Sequence, residues 1–363
     1  MKKQSITFIF PYIPDSPAGG VKVVLEYANR LVNDGWDVYV CYKNVRPMLR
    51  KNLFNLIKAY YVYLCGRIYK QYPSASSWFK LDKSVHEIYV KNLSCKYQPK
   101  TSFYVATAIR TTSAVLSYPV PENHKLYLIQ GYENWEKGFD DIKVRDSYHQ
   151  GLTNLVISKW LQQIMNEEGV PSVYLPNGFD FNYFKLIVPI EERNRFSIAM
   201  AYSPQIIKSC DTGIAAISEV KKKYPQLIAS MYGIVPRPNH LPKWIGYIQK
   251  PNQKQHNLIY NKAAIFVATS INEGFGLTVG EAMICGAAIA CTNNKGYMEM
   301  VINGKTGLIS PTKDSVSLAN NIMHLIEDDN LRIQLAKFGN EYIKNYTWET
   351  SYNRLKNLLD DNL

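Results

Sequence analysis

Residues 263–286 constrain this chain more than any other stretch. The run Ala263-Ala264-Ile265-Phe266-Val267-Ala268-Thr269-Ser270 is apolar and strand-like. Glu273-Gly274-Phe275-Gly276-Leu277-Thr278-Val279-Gly280-Glu281 then turns through glycine into a helix, and Ala282-Met283-Ile284-Cys285 carries that helix to a stop at Gly286. The start of such a helix is a ready anion site, because its first-turn N–H groups lack intrahelical partners and carry partial positive charge. Two carboxylates, Glu273 and Glu281, lie eight positions apart around this positive end. A carboxylate there points to a partner with hydroxyls, such as a sugar, rather than to a phosphate. The same residues also suit a plain helix start, with a favourable acid before it and a solvated glutamate beyond.

The rest of the chain repeats the strand–helix alternation, which implies parallel sheets. Strands are expected over 5–12, 36–42, 102–108, 125–130, 154–158 and 172–175, with a helix over 21–33. The turn-forming run Pro176-Asn177-Gly178-Phe179-Asp180 suits a domain junction. A second series follows, with strands over 196–202, 227–232, 264–269, 287–291 and 307–310, and helices over 314–327, 330–345 and 348–361. At 363 residues the chain accommodates two α/β domains, each with its own core.

Composition narrows the class by exclusion. With 46% hydrophobic and 20% charged residues the chain is globular, and no apolar run reaches the 18 or so residues of a membrane span. The start, Met1-Lys2-Lys3-Gln4-Ser5-Ile6-Thr7-Phe8-Ile9-Phe10-Pro11, reads as a first buried strand rather than a signal peptide. Six cysteines lie scattered without metal spacing, as expected of reduced, mostly buried thiols in the cytosol. No Asp-x-Asp pattern is present, so metal independence is expected and no metal site is assigned.

Charge is concentrated. Residues 41–100 hold 12 Lys/Arg against two acids, Asp82 and Glu87. Leu49, Leu53, Leu56, Ile57, Tyr60 and Leu64 recur there at helical spacing, with Arg50, Lys51, Lys58 and Arg67 between them. Residues 46–67 are thus a candidate contact for an anionic membrane surface. An ordinary helix, with its apolar face in the core and its basic face in water, fits the same pattern. Nucleic-acid binding lacks any reader motif to accompany the charge, and no nucleic-acid partner is expected.

The segment Ser–x–x–Glu-Gly-Phe-Gly-Leu–x–x–x–Glu-Ala-Met–x–x–Gly, from Ser270 to Gly286, resembles the donor-site signature of retaining glycosyltransferases of family 4 (glycosyl transferases group 1). That family has the α/β GT-B fold: two Rossmann-like domains facing a central cleft, with a C-terminal helix crossing back to the first. The resemblance implies an acceptor-binding domain over 1–176, a nucleotide-sugar donor domain over 177–345, and a returning helix over 346–363. Three further features extend it. Gly19-Gly20 resembles the family's N-terminal glycine loop, where glycine lets backbone approach the donor diphosphate. Asn177-Gly178-Phe179-Asp180 resembles its interdomain connection, and Lys208 matches its donor-phosphate lysine.

Two positions depart from the pattern. The family usually carries an Arg five or six residues before the Lys; here Tyr202 and Ser203 stand in its place, and hydroxyls cannot neutralise a phosphate. Either another basic group such as Arg237 compensates, or the helix end and the glycine loop hold the donor. The mid-domain His of many members is missing from 107–112, and His124 reads as a surface residue in a polar turn. Just beyond it, Gln130, Glu133 and Trp135 follow a strand's C-terminal end, where open α/β sheets bind ligands, and are the acceptor-side candidates.

By resemblance, then, the chain is expected to be a cytoplasmic retaining glycosyltransferase that builds a cell-surface polysaccharide precursor; the basic segment alone adds the expectation of a lipid-linked precursor and a peripheral place on the inner membrane face. Lys208 and Glu273 would be its catalytic residues. Ser203, Lys208, Gly233, Ile248, Glu281 and the run Glu273-Gly274-Phe275-Gly276-Leu277-Thr278 would bind the nucleotide-sugar donor, together with Gly19 and Gly20. Glu281 would take the ribose hydroxyls and Glu273 those of the transferred sugar, with no cofactor besides the donor. A phosphorylase or nucleotide-sugar epimerase of the same fold, or an inactive basic membrane-binding module, are the alternatives. Donor base, sugar, acceptor and linkage leave no trace in these residues.

Overall fold

The computed structural model describes residues 3–14, 17–44, 53–69 and 72–363. The chain divides into two compact units, one of Met1–Leu175 with Tyr352–Leu363 and the other of Pro176–Ser351.

The first unit is built from β1 (Ser5–Phe10), α1 (Gly19–Asn33), β2 (Asp37–Lys43), α2 (Leu53–Tyr69), β3 (His86–Val90), β4 (Phe103–Ala106), α3 (Ile109–Leu116), β5 (Lys125–Ile129), α4 (Asp141–Tyr148), β6 (Thr153–Val156), α5 (Lys159–Glu167) and β7 (Ser172–Tyr174). Its seven strands are all parallel and run in the order β3-β2-β1-β4-β5-β6-β7. The order reverses between β1 and β4, and open sheets of this kind bind ligands in the crevice at the C-terminal ends of such strands. Gly35, with φ +85°, ends the turn after α1 in the left-handed region open to glycine.

The second unit comprises β8 (Ser197–Ala201), α6 (Cys210–Lys223), β9 (Ile228–Gly233), β10 (Gly246–Gln249), α7 (Gln253–Lys262), β11 (Ile265–Ala268), α8 (Leu277–Ile284), β12 (Ala288–Thr292), β13 (Gly307–Ser310), α9 (Ser315–Glu327) and α10 (Asp329–Tyr342). Its six strands are again parallel, in the order β10-β9-β8-β11-β12-β13, with the reversal between β8 and β11. Alternate residues of the central strands, such as Ile198 and Met200 or Ile265 and Val267, enter one core with Ile217 of α6 and Ile322 of α9. Two strands escape the sequence pattern. β3 and β10 are only partly buried edge strands, so they lack the continuous apolar run of the central ones.

The final helix, α11 (Trp348–Asp360), begins in the second unit and is counted with the first from Tyr352 onward. Within the second unit, Tyr346 OH donates to Glu299 O (2.7 Å) and Phe179 N–H to Tyr346 O (2.9 Å), so 346–351 stay there and the return starts at Tyr352. A side chain at Gly178 would put Cβ 2.3 Å from Trp348 N, which explains glycine in the junction turn. Within the first unit, Tyr352 OH donates to Asp34 (2.9 Å) and Lys356 pairs with the same carboxylate (3.2 Å). His124 is not the surface residue expected: its ring stacks on Phe103 at 4.4 Å, and Nε2 lies 2.6 Å from Asn362 O.

The basic segment is described in part. Residues 46–52 of it, Lys51 included, lie outside the described residues. In α2 Leu53, Ile57 and Leu64, which an ordinary core-facing helix would bury, are exposed. Of the others, Leu56 and Tyr60 are half-buried.

Candidate functional site

The reversal point of the second sheet gathers the double-glutamate segment and the lysine loop. After β8 the chain runs through Tyr202 and Ser203 to a single turn, Ile206–Lys208, and enters α6 through Ser209, a non-glycine residue at φ +46°. After β11 it runs through Thr269 and Ser270 to Glu273 and enters α8 through Gly276. The two loops are tied by Ile271 N–H to Ile207 O (2.8 Å) and Thr269 Oγ1 to Lys208 O (2.9 Å). These ties bring Lys208 Nζ to 2.6 Å from Glu273 Oε1. A cavity of about 170 Å³ opens here, lined by Tyr202, Ser203, Lys208, Ser270, Glu273 and Thr278 among others. Lys208 is the only Lys or Arg among its lining residues.

Glycine is required at two positions of this turn. Gly276 has φ +93°, and a Cβ on it would lie 2.5 Å from the Tyr297 ring. At Gly280, one turn into α8, a Cβ would lie 2.0 Å from the ring of Phe179. Glycines therefore let α8 begin against buried aromatic rings, Tyr297 and Phe179, with its first-turn N–H groups beside Glu273.

Both glutamates are held from beneath by hydroxyl relays. Tyr297 OH donates to Ser270 Oγ (2.9 Å), which donates to Glu273 Oε1 (2.8 Å). Tyr260 OH donates to Glu281 Oε2 (2.9 Å) and lies in hydrogen-bond contact with Tyr232 OH. A phenol has one proton to give, so Tyr232 is the donor to Tyr260. Burial, then the neighbouring Tyr232 and Glu281, pushes the Tyr260 hydroxyl well above the usual phenol range, which keeps it a donor. Among the described residues no hydrogen bond reaches Glu273 Oε2 or Glu281 Oε1. Each carboxylate thus has one oxygen clamped and one left for a ligand.

Sequence spacing could not reveal these relays. Ser270 belongs to the recognised segment without a role of its own, while Tyr260 lies 21 residues and Tyr232 49 residues before Glu281. Gly233 and Ile248 do not line the cavity. A Cβ at Gly233 would lie 2.6 Å from Tyr202 O, so this glycine serves the packing of two loops. Arg237 is no substitute for the missing arginine: its guanidinium donates to the carbonyls of Leu241, Pro242 and Ile245. Ser203 stays at the cavity, its N–H directed to Cys210 Sγ (3.3 Å).

The first unit assembles a different group at its own reversal point. Gly19 and Gly20 open α1 just after β1, and a Cβ at Gly20 would lie 3.0 Å from Gln130 Oε1. Glu133 Oε2 accepts from Ile109 N–H at the start of α3 (2.6 Å) and from Tyr127 OH (2.9 Å). Burial pushes this carboxyl up to about 7, against the pull of those two donors. Arg110, whose charge also pulls Glu133 down, is engaged with Glu136 at 2.6 Å. Trp135 presents its ring to solvent, 61% exposed.

Comparison with known proteins agrees with this architecture. Residues 208–342, which lie within the second unit, match the family described as Glycosyl transferases group 1. A 103-residue stretch is 31% identical to D-inositol 3-phosphate glycosyltransferase of Corynebacterium jeikeium, covering 28% of this chain and 25% of that protein. A 73-residue stretch is 42% identical to N,N'-diacetylbacillosaminyl-diphospho-undecaprenol alpha-1,3-N-acetylgalactosaminyltransferase of Campylobacter jejuni, covering 20% of this chain and 19% of that one. The similarity thus spans about a quarter or less of these relatives' length. Over the whole chain the fold is that of Anabaena Alr3699/HepE, solved in complex with UDP and glucose: TM-score 0.72 at 16% identity, covering 99% of this chain and 100% of that one. The chain has the GT-B fold, two Rossmann-like domains each with a parallel sheet.

Proposed function

We propose that this protein is a retaining, metal-independent glycosyltransferase that moves a sugar from a nucleoside diphosphate-sugar to a glycan acceptor carried on lipid. The observation that carries the reading is the Lys208–Glu273 pair at the start of α8, with Glu281 held two turns on by Tyr260. Support comes from the group 1 family match over this region and from relatives named as glycosyltransferases, one for an undecaprenol-linked substrate.

In this reading the donor diphosphate lies against Lys208, Ser203 and the N–H groups of 274–278. Glu281 takes the ribose hydroxyls on Oε1, and Glu273 those of the transferred sugar on Oε2. Gln130, Glu133 and Trp135 are the acceptor contacts. The acceptor hydroxyl attacks the anomeric carbon on the face that the diphosphate leaves. The carbon–oxygen bond to phosphate breaks, and the departing phosphate oxygen takes the hydroxyl proton. Lys208 and the positive helix start stabilise the charge gathering on that leaving group, and one such donor is typically worth roughly 100- to 1000-fold in rate.

A panel of UDP-, GDP- and dTDP-sugars tests this through protection against thermal unfolding, since a ligand of the folded state stabilises it by mass action. With the stabilising donor, sugar transfer and nucleoside diphosphate release should be stoichiometric, unaffected by EDTA, with the anomeric configuration retained in the product. Donor conversion without transfer to acceptor would identify an epimerase, and sugar 1-phosphate release a phosphorylase.

A further inference from the structure

Helix α2 faces the wrong way for a core helix. At 100° per residue, Leu53, Phe54, Ile57, Tyr61, Leu64 and Ile68 fall within about 100° of arc. All six are exposed, from 48% at Leu64 to 74% at Phe54. Lys58 and Arg67 border this arc, one on each side, about 40° beyond its edges. The opposite face is the packed one. A Cβ at Gly66 would lie 2.4 Å from the Tyr72 ring, which stacks on Tyr89 of β3 at 4.2 Å. The outward direction of the apolar stripe is therefore set by contacts of the inner face. Contiguous apolar surface of this kind marks an interaction site.

We propose that this stripe is a membrane-docking surface that lies in the interface of an anionic lipid bilayer, its long axis along the plane. Charge complementarity selects the occupant, since residues 41–100 hold 12 Lys/Arg against two acids. The 17 residues of α2 span about 25 Å along the helix. Among the described residues no helix is long and apolar enough to cross a membrane. A surface-lying helix, with apolar residues inserted and cations at the headgroup level, satisfies both facts. Tyr61 and Arg67 each combine an apolar body with a polar end suited to that boundary. The proposal deepens the lipid-linked acceptor reading by naming where the chain meets lipid.

Sedimentation of the full chain with vesicles of phosphatidylcholine, with and without phosphatidylglycerol, tests it without any sugar transfer. Binding to the anionic vesicles is expected, and it should weaken as salt shortens the screening length from about 10 Å at 0.1 M. Ile57→Ser, Leu64→Ser and Ile68→Ser combined should lower partitioning on the order of 100-fold. Lys58→Glu with Arg67→Glu should lower it by roughly 30-fold or more, on anionic vesicles only. Hydrogen exchange of the unmodified protein, independent of any variant's folding, should show vesicle-induced protection over 53–69. Absence of binding, binding unchanged in the triple variant, or protection only elsewhere overturns the proposal. So does a lipid-free dimer that the triple variant dissolves, which would make a second copy the occupant. Failure here leaves transfer to a soluble acceptor untouched, and loss of transfer in Lys208→Ala leaves vesicle binding untouched.

Discussion

Each unit places a carboxylate beyond the C-terminal end of a strand near its sheet's reversal, Glu273 after β11 and Glu133 after β5, and the two are treated in opposite ways. At the reversal between β8 and β11, Glu273 receives a cation, Lys208, and a serine hydroxyl, and keeps one oxygen open. At the C-terminal edge of the first sheet, Glu133 receives only neutral donors, and the neighbouring Arg110 is paired with Glu136. Burial with a partner charge yields a carboxylate available to a ligand. Burial without one pushes Glu133 up to about 7, where protonated and ionised forms share the site at neutral pH. Similar scaffolds therefore present an ionic site in one unit and a titrating group in the other.

Lys208→Ala is the sharpest way to break that contrast. It should cost roughly 100- to 1000-fold in sugar transfer, read as kcat with the stabilising donor saturating, while thermal unfolding without ligand changes little. Gly276→Ala follows: a left-handed backbone angle and a clash with Tyr297 should destabilise by about 1–3 kcal/mol in urea unfolding. Tyr260→Phe removes the hydrogen bond to Glu281 and leaves the buried Tyr232 hydroxyl without the acceptor it had in Tyr260. It should raise the donor KM roughly tenfold with kcat nearly unchanged, and unaltered donor affinity would end the positioning role assigned to Tyr260.

The smallest effect is expected at Glu133. Its folded-state pKa is raised from the usual 4.5 to about 7, so the folded protein holds this proton to higher pH than the unfolded chain does. The stability associated with that proton is fully present below pH 4.5 and is lost as pH rises through 7. Glu133→Gln removes the titration. It should flatten the dependence of Tm on pH between those limits and raise Tm above pH 7. A slope identical to that of the unmodified protein would show that Glu133 does not titrate there.

Much of the fold was legible locally. Central strands such as β11 and β12 are buried throughout and read as continuous apolar runs, and the Gly-Phe-Gly turn announced α8. The lysine and both glutamates were legible as well, through a contiguous segment and a position after β8. The edge strands β3 and β10 were not, because half-exposed strands lack that apolar continuity. Arg237 looked available as a charge, yet three nearby carbonyls occupy it, and His124 looked like a surface residue until Phe103 and Asn362 were seen to hold it.

The sequence by itself determined the alternation, the glycines that open the site and the residue types that bear charge, since these follow from spacing along the chain. Only the tertiary structure decided the pairings: Lys208 with Glu273 across 65 residues, Tyr260 with Glu281, and Gly66 against Tyr72 so that the apolar stripe of α2 faces out. Periodicity states that a helix has an apolar face. Which way that face points depends on what packs behind it, and that is set by sheet register and loop ties between residues distant in sequence.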